Sequence, residues 1–394
     1  MPLDYTTKSY GRNAEVKAHY QSFENDHDVA MPGPRRLGKT FVLDRLVEAS
    51  TQRGWHALKI DVAGCDSAQK VFREFCDQIG RHLKGGQLLI LWLAQRFAQL
   101  WSPRSDGSGP WYQDLLSLDQ ELWFGRLLAG MNQDPTHRWV LLIDELPIFL
   151  KALHDRGPEG VAQARDFMNL LSRWREAHPR VRWLITGSIG IEPLAKAGNY
   201  MGVLAKFQPF ELEPLTESQA IDLIQDLARE GRLPHRSIIT QVEAQALVAE
   251  VGWRAAYYLE ALAQKLAGEP THDQAVAARL VAEAVERLLH PAQMSTFGTW
   301  EEHLRKHYPE PDRTLAFKIL AVLSKRPGPI PLNAILASLN HPEMDRAKLQ
   351  PLLTRLHVEG FISASGFEDD TLTCMFRNPL LRRWWLRYPP HPTA

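Results

Sequence analysis

The sequence has no excess charge of either sign, few cysteines and no long hydrophobic run, and each of these argues against a class of protein. Its 394 residues contain 46 Lys and Arg against 46 Asp and Glu. The protein as a whole therefore has no net charge that would attract it to nucleic acid or membranes. Any such binding must depend on a local charged patch. The three cysteines cannot all pair with one another in disulfides, and their spacing matches no metal-binding motif. They favour a reduced, cytoplasmic setting over a disulfide framework.

Membrane signals are also missing from the sequence. The longest apolar run, Leu88–Trp101, is too short to span a bilayer and is interrupted by Gln95, Arg96 and Gln99. The first residues, Met1 to Tyr5, lack the basic-then-apolar order of a secretory signal. We therefore expect a soluble cytoplasmic protein with no membrane partner.

The most informative segment present is a glycine-rich loop that fits the pattern G-x-x-x-x-G-K-[ST] at every required position. Its glycines allow a tight turn whose backbone N–H groups point at a phosphate, and the following helix directs its positive dipole end to the same anion. A lysine there reaches the terminal phosphates, and the hydroxyl ligates Mg²⁺. The pattern predicts that ATP and Mg²⁺ are bound by Gly33, Pro34, Arg35, Arg36, Leu37, Gly38, Lys39, Thr40 and Phe41.

The order of apolar and amphipathic segments predicts an α/β protein. Strand-like runs at Val29–Met31, Trp55–Val62, Trp139–Ile143, Arg182–Thr186 and Ala205–Phe210 alternate with helical stretches, which indicates a parallel sheet. The pattern then becomes helical, and the last segment adds two strand-like runs after three helices. We predict a P-loop NTPase core (1–210), an all-helical lid (211–299) and a C-terminal winged helix-turn-helix (300–394).

Two acids end the third strand-like run. Asp144 and Glu145 follow Val140–Ile143, and strand ends in a parallel sheet line the ligand crevice. We predict that Asp144 and Thr40 hold Mg²⁺, and that Glu145 is the catalytic base that polarises the attacking water while Lys39 neutralises phosphate charge. The alternative for Glu145 is a solvated carboxylate at a strand end.

Three further polar residues each have a functional and a structural interpretation. Thr186 and Ser188, after the fourth strand-like run, either contact the γ-phosphate or its water, or hydrogen-bond locally in a turn. Arg254, at the start of a helix, either reaches over the γ-phosphate or is a surface arginine. We include Ser188 and Arg254 among the nucleotide-binding candidates.

Taken together, these motifs resemble the archaeal-type ATPases of the STAND/AAA+ group and the Orc/Cdc-type replication initiators. The likeness rests on the paired arginines of the loop, Ile143-Asp144-Glu145, Thr186-Gly187-Ser188 and the winged-helix pattern. It implies that Gly11 and Arg12, in a segment similar to the family's GRxxE box, pack near the adenine base. It also implies that Arg254 corresponds to the sensor arginine of the family. Four arginines are candidates for an arginine finger, and the sequence does not choose among Arg173, Arg175, Arg180 and Arg182.

The partner of the winged helix stays open at this stage. The predicted recognition helix, Arg346–Val358, and the tail with Arg377, Arg382, Arg383 and Arg387 are basic, which favours double-stranded DNA. Trp384 and Trp385 fit one apolar helix face and favour a core position instead. We therefore expect an ATP-hydrolysing nucleotide switch coupled to DNA. The alternatives are a nucleotide-gated scaffold for a protein partner or for self-association, with little hydrolysis, and a phosphotransferase, against which the winged-helix pattern argues.

Overall fold

The computed structural model describes residues 12–85, 120–339, 345–367 and 371–390. The chain divides into two compact units. The first comprises Arg12–Gly33 and Lys39–Leu212, and the second includes Pro34–Gly38 together with the chain from Glu213 onward. Two features predicted from the sequence, Gly11 and the apolar run Leu88–Trp101, lie outside the described residues.

The first unit is built on a five-stranded parallel sheet with the strand order β2-β3-β4-β1-β5. The strands are β1 (Val29–Pro32), β2 (Trp55–Asp61), β3 (Arg138–Asp144), β4 (Val181–Gly187) and β5 (Gln208–Pro209). The helices are α1 (Asn13–Glu24), α2 (Lys39–Ser50), α3 (Ala68–Gly85), α4 (Gln120–Asn132), α5 (Leu146–His154), α6 (Pro158–Ala177), α7 (Glu192–Gly198) and α8 (Met201–Leu204). The parallel sheet core predicted from the sequence is confirmed.

The central strands show why this segment forms a sheet buried on both faces. Every residue of β4 is buried, and so is every residue of β3 after Arg138. Strands that are buried along nearly their whole length are typical of parallel sheets covered on both sides by helices. Phe72, Phe75 and Phe124 pack in one aromatic cluster against the sheet. Because all strands run the same way, Gly33, Asp144 and Gly187 come to the same edge of the sheet.

The second unit begins with helices. They are α9 (Glu217–Arg229), α10 (Gln241–Val251), α11 (Ala256–Ala263), α12 (Gln274–Leu288) and α13 (Ser295–His307). The start of α9 is fixed by an N-cap: the Thr216 hydroxyl accepts from the Gln219 N–H while the Gln219 side chain accepts from the Thr216 N–H. This reciprocal capping satisfies two backbone donors that the helix leaves without intrahelical partners.

The end of the second unit has the element order of a winged helix-turn-helix. It contains α14 (Asp312–Ser324), β6 (Ile330–Pro331), α15 (Leu332–Leu339), α16 (Arg346–Val358), β7 (Ile362–Ser365), β8 (Thr373–Phe376) and α17 (Pro379–Arg387). The three strands form an antiparallel sheet in the order β6-β8-β7. The predicted recognition helix is α16, with the bounds expected from the sequence. Within the described ranges, no helix is both long and apolar enough to cross a membrane.

Candidate nucleotide site

The phosphate loop connects β1 to α2 and contains two residues in the left-handed region of backbone conformation. Gly38 has φ 101° and Arg36 has φ 64°. Only glycine adopts such a conformation without steric cost. A Cβ at Gly38 would meet no atom within 4 Å, so backbone conformation, rather than space, requires glycine there. Pro34 and Leu37 are buried and Phe41 is half-buried on α2.

Lys39 is almost completely buried, with 5% of its surface exposed. Its Nζ donates to the carbonyl oxygen of Gly33 at 2.7 Å, and the Gly33 N–H donates to the Gly187 carbonyl at 3.2 Å. The start of the loop is therefore fixed to the end of β4. An ammonium group is costly to bury unless it has an oxygen partner, and the Gly33 carbonyl is such a partner for Lys39.

Asp144 brings together hydroxyl groups from two other parts of the chain. Its carboxylate, on a residue 2% exposed, accepts from Thr40 Oγ1 at 2.7 Å and from Thr186 Oγ1 at 2.7 Å, one on each oxygen. The result is a cluster of hard oxygen ligands beside the phosphate loop, which is the donor type that Mg²⁺ prefers. The residues present therefore fit a magnesium ion. Of the two sequence interpretations of Thr186, the structure shows a hydroxyl that orients Asp144.

Glu145 is the N-cap residue that precedes α5, and its backbone is left-handed, with φ 58°. Its Oε2 accepts from both the N–H and the hydroxyl of Ser188 at 2.9 Å. Between Thr186 and Ser188, Gly187 is packed so closely that a Cβ would lie 2.4 Å from the ring of Pro147. The Thr-Gly-Ser turn therefore locates both acids: Thr186 contacts Asp144, Gly187 allows the close approach of α5, and Ser188 holds Glu145.

Arg12 and Arg254 lie in different units. Arg12 is 4% exposed and pairs with Glu15 at 2.6 Å at the start of α1. Arg254 donates from Nε to the Leu215 carbonyl at 2.7 Å, and the Leu215 N–H donates back to the Arg254 carbonyl at 3.1 Å. This exchange fixes the turn between α10 and α11. The nucleotide-binding roles of both arginines stay predictions.

Three of the four arginine-finger candidates are held by other groups near the starts of β1 and β4, away from the strand ends that carry Asp144 and Gly187. Arg175 pairs with the buried Asp28 at 2.5 Å, Arg180 donates to the Asp134 carbonyl at 2.7 Å, and Arg182 donates to the Asp26 carbonyl. Asp28 also accepts from the Trp183 N–H at 2.8 Å. These contacts give Arg175, Arg180 and Arg182 structural roles within the first unit, while Arg173 is exposed on α6.

Most of the basic residues expected to face nucleic acid have partners within the second unit. On α16, Arg355 pairs with Glu359 at 2.9 Å and His357 Nδ1 accepts from the Ala364 N–H. In the tail, Arg382 donates to the Ser324 carbonyl, Arg383 pairs with Glu250, and Arg387 pairs with Glu286. Trp384 and Trp385 are each 1% exposed, so the core interpretation of these tryptophans is confirmed.

Two solved structures resemble the chain over nearly its whole length. The Walker-type ATPase of Pyrococcus abyssi has a TM-score of 0.64 and 17% sequence identity, with 96% of each chain covered. The ORC2 protein of Aeropyrum pernix, solved in ADPNP–ADP complexes, has a TM-score of 0.53 and 14% identity, with 95% of this chain and 91% of that chain covered. The chain therefore has the fold of archaeal Walker-type and Orc-type ATPases, as the sequence predicted. No protein-family model and no curated protein matches its sequence.

Proposed function

We propose that this protein is a Mg²⁺-dependent ATPase that acts as a nucleotide switch. One observation supports this most directly: the buried Asp144 carboxylate accepts hydroxyls from Thr40 and Thr186 beside a phosphate loop with a buried lysine. The resemblance to the archaeal structures supports the fold, whereas the proposed chemistry rests on the side chains of this chain. We assign the chemistry to 1–210, a lid to 211–299 and the output to 300–394.

The loop residues Gly33 to Phe41 would hold the phosphates of ATP. Lys39 exchanges its bond to the Gly33 carbonyl for a phosphate oxygen, which places a positive charge where negative charge develops during transfer. Backbone N–H groups at the start of α2 bind the same anion, since they have no intrahelical acceptors. Arg12 and Arg254 complete the proposed nucleotide set, with Gly11 beside Arg12 in sequence.

Thr40 and Asp144 would hold Mg²⁺, which when bound supplies charge neutralisation on the phosphates. Thr186 keeps Asp144 oriented through its own hydrogen bond. Glu145 is the proton acceptor for the attacking water, and Ser188 holds its carboxylate through two donors on one oxygen. The second oxygen of Glu145 is the one that we assign to the water.

The magnesium site predicts a specific effect of Thr40→Val. The substitution keeps the side-chain shape but removes the hydroxyl, so Mg²⁺ should no longer strengthen binding of a non-hydrolysable ATP analogue. We expect the affinity in Mg²⁺ to fall at least about tenfold, on the scale of losses seen when metal-site groups are removed, and the affinity in EDTA to stay unchanged. Titration calorimetry with and without Mg²⁺ measures both. Thr40→Ser, which keeps the hydroxyl, should retain the Mg²⁺ effect; an equal Mg²⁺ effect in Thr40→Val contradicts the assignment.

For the output of the switch, one observation favours a protein partner over double-stranded DNA. The exposed residues of α16 are Ala347, Lys348, Pro351 and Thr354, which carry one positive charge. The sequence between β7 and β8 contains three acids in succession, Glu368, Asp369 and Asp370. Phosphate backbones are bound by several cations at once, so the exposed side of α16 suits docking on a protein better.

Salt dependence tests that choice. A protein that makes many phosphate contacts loses about 10³- to 10⁵-fold in affinity between 50 and 200 mM salt. For this chain, fluorescence anisotropy with a DNA duplex should show weak binding that falls less than about tenfold over that range. The measurement is made with ATP analogue and with ADP. A steep fall in either state would show that the winged helix binds DNA.

A further inference from the structure

The side chains of Arg35 and Arg36 extend to α13, about 260 residues further along the chain. Arg36 donates from Nη1 to the Thr296 carbonyl at 2.7 Å and from Nη2 to the Thr299 hydroxyl at 2.7 Å. Its guanidinium also lies 3.8 Å from the centroid of the Tyr257 ring. Two nitrogens of one planar group are thus fixed by two acceptors and an aromatic face, a geometry that lysine cannot reproduce.

Arg35 is tied to the same helix by a second set of contacts. Its Nη1 donates to the Thr299 carbonyl at 3.1 Å and to His303 Nδ1 at 3.3 Å. Since a guanidinium only donates, Nδ1 accepts, and the other ring nitrogen of His303 carries the hydrogen. That nitrogen lies 2.8 Å from Glu359 Oε2, and both side chains are 1% exposed.

Glu359 collects three donors at the end of α16. Besides His303, the Tyr308 hydroxyl donates to it at 2.8 Å and Arg355 Nε at 2.9 Å. Burial by itself raises the pKa of Glu359, but the His303 and Arg355 donors outweigh it and hold that pKa below its ordinary value. The carboxylate therefore stays charged in the interior and keeps its donors fixed.

The main chain after Glu359 touches the loop directly. Gly360 has φ 90°, and a Cβ placed on it would lie 2.5 Å from Cβ of Pro34. The tip of the phosphate loop is therefore in contact with α13 through Arg35 and Arg36 and with the end of α16 through Pro34. We call these contacts, made by Pro34, Arg35 and Arg36 with Thr296, Thr299, His303 and Gly360, the loop anchor.

The loop anchor contacts the part of the phosphate loop that has an unfavourable backbone conformation. Arg36 has a left-handed backbone that non-glycine residues seldom adopt, and such a residue persists only when its surroundings over-determine it. Arg36 is also two residues before Gly38 and three before Lys39. We propose that Arg35 and Arg36 are positioning residues, which hold the phosphate loop in its ligand-binding shape by anchoring it to α13 and, through His303, to Glu359.

This proposal rests on the proposed nucleotide switch and names the element that links ATP to the C-terminal part of the chain. If the anchor favours the shape of the loop that binds phosphate, then nucleotide must in turn strengthen the anchor by the same factor. Binding of ATP is therefore expected to protect α13 and the end of α16, although neither element contributes a side chain to the assigned phosphate or Mg²⁺ ligands.

The test uses two variants that remove opposite sides of the anchor. Arg36→Gly removes the guanidinium but tolerates the left-handed backbone, so it separates loss of the anchor from local strain. Thr299→Val keeps the shape of a half-buried side chain and removes the hydroxyl acceptor. Each is expected to weaken binding of an ATP analogue by about 2- to 30-fold, the range for substitutions that change the coupling between two sites. The double variant should be less than additive, because both changes remove the same hydrogen bond.

Hydrogen exchange distinguishes the proposed coupling from a purely structural role of the anchor, because only the coupling makes exchange depend on nucleotide. In the wild type, saturating ATP analogue should slow amide exchange in 295–307 and 355–361, and this slowing should vanish in Arg36→Gly at saturation. Arg279→Ala, which removes an exposed arginine of α12 paired with Glu283, should behave as the wild type. The anchor is refuted by unchanged exchange in nucleotide-bound wild type, or by wild-type affinity in both variants. Failure of the wild type to bind any nucleotide instead overturns the proposed function, and the anchor with it.

Discussion

Lys39→Ala is expected to weaken ATP binding severely. Lys39 is the buried cation of the phosphate loop, and its ammonium has the Gly33 carbonyl as its neutral partner at 2.7 Å. Losing one member of a buried charged pair costs about 2–5 kcal/mol, which corresponds to roughly a 30- to 5000-fold rise in Kd. Fluorescence titration with a labelled ATP analogue measures the change.

The matched control for this result is Lys318→Ala. Lys318 lies on α14 and is exposed, so its replacement changes net charge by the same amount without touching the loop. Its ATP affinity should equal that of the wild type. Thermal unfolding without nucleotide should show both variants folded. Unchanged ATP affinity in Lys39→Ala would overturn the nucleotide site.

Glu145→Gln is expected to abolish turnover while leaving nucleotide bound. Glutamine has nearly the same shape, and its side-chain oxygen can still accept from the Ser188 N–H and hydroxyl, so the local structure should survive. It cannot take a proton from water at neutral pH. Loss of general-base catalysis lowers rates by about 10²- to 10⁴-fold. Phosphate release over hours measures the rate, and the titration used for Lys39→Ala measures binding.

The control is Glu192→Gln, at an exposed position near the start of α7, which should hydrolyse ATP as the wild type does. Wild-type turnover in Glu145→Gln would mean that the attacking water is positioned by another residue. Absence of turnover in both the wild type and Glu145→Gln, with nucleotide still bound, would favour the nucleotide-gated scaffold over the ATPase.

The elements that the sequence located correctly are those specified by local patterns. The strand before the loop and the buried run Val140–Ile143 each depend on residues close in the chain, and both appear in the structure. The bounds of α16 also match the sequence prediction, although Pro351 lies inside the helix. These features are predictable because the periodic spacing of buried residues and the signals at helix ends each involve only a few neighbouring residues.

The direction of individual side chains was harder to predict. For Thr186 and Ser188 the sequence left phosphate contact and local hydrogen bonding equally open, and the structure pairs them with Asp144 and Glu145, about 40 residues earlier. The arginine-finger candidates are engaged near the strand starts because Arg175 and Arg182 surround Asp28, which no sequence pattern links to them. Such pairs follow from the order of strands in the sheet.

The sequence by itself determined that this chain has a phosphate loop, a parallel sheet and a pair of acids at a strand end, since each is specified by residue types at fixed spacing. The tertiary structure alone decided what the loop's own variable residues do. Arg35 and Arg36 extend to α13 because the fold brings Thr296, Thr299 and His303 next to them from about 260 residues away. A guanidinium binds whatever acceptors the packed chain presents, and acceptors so distant in sequence leave no local signal.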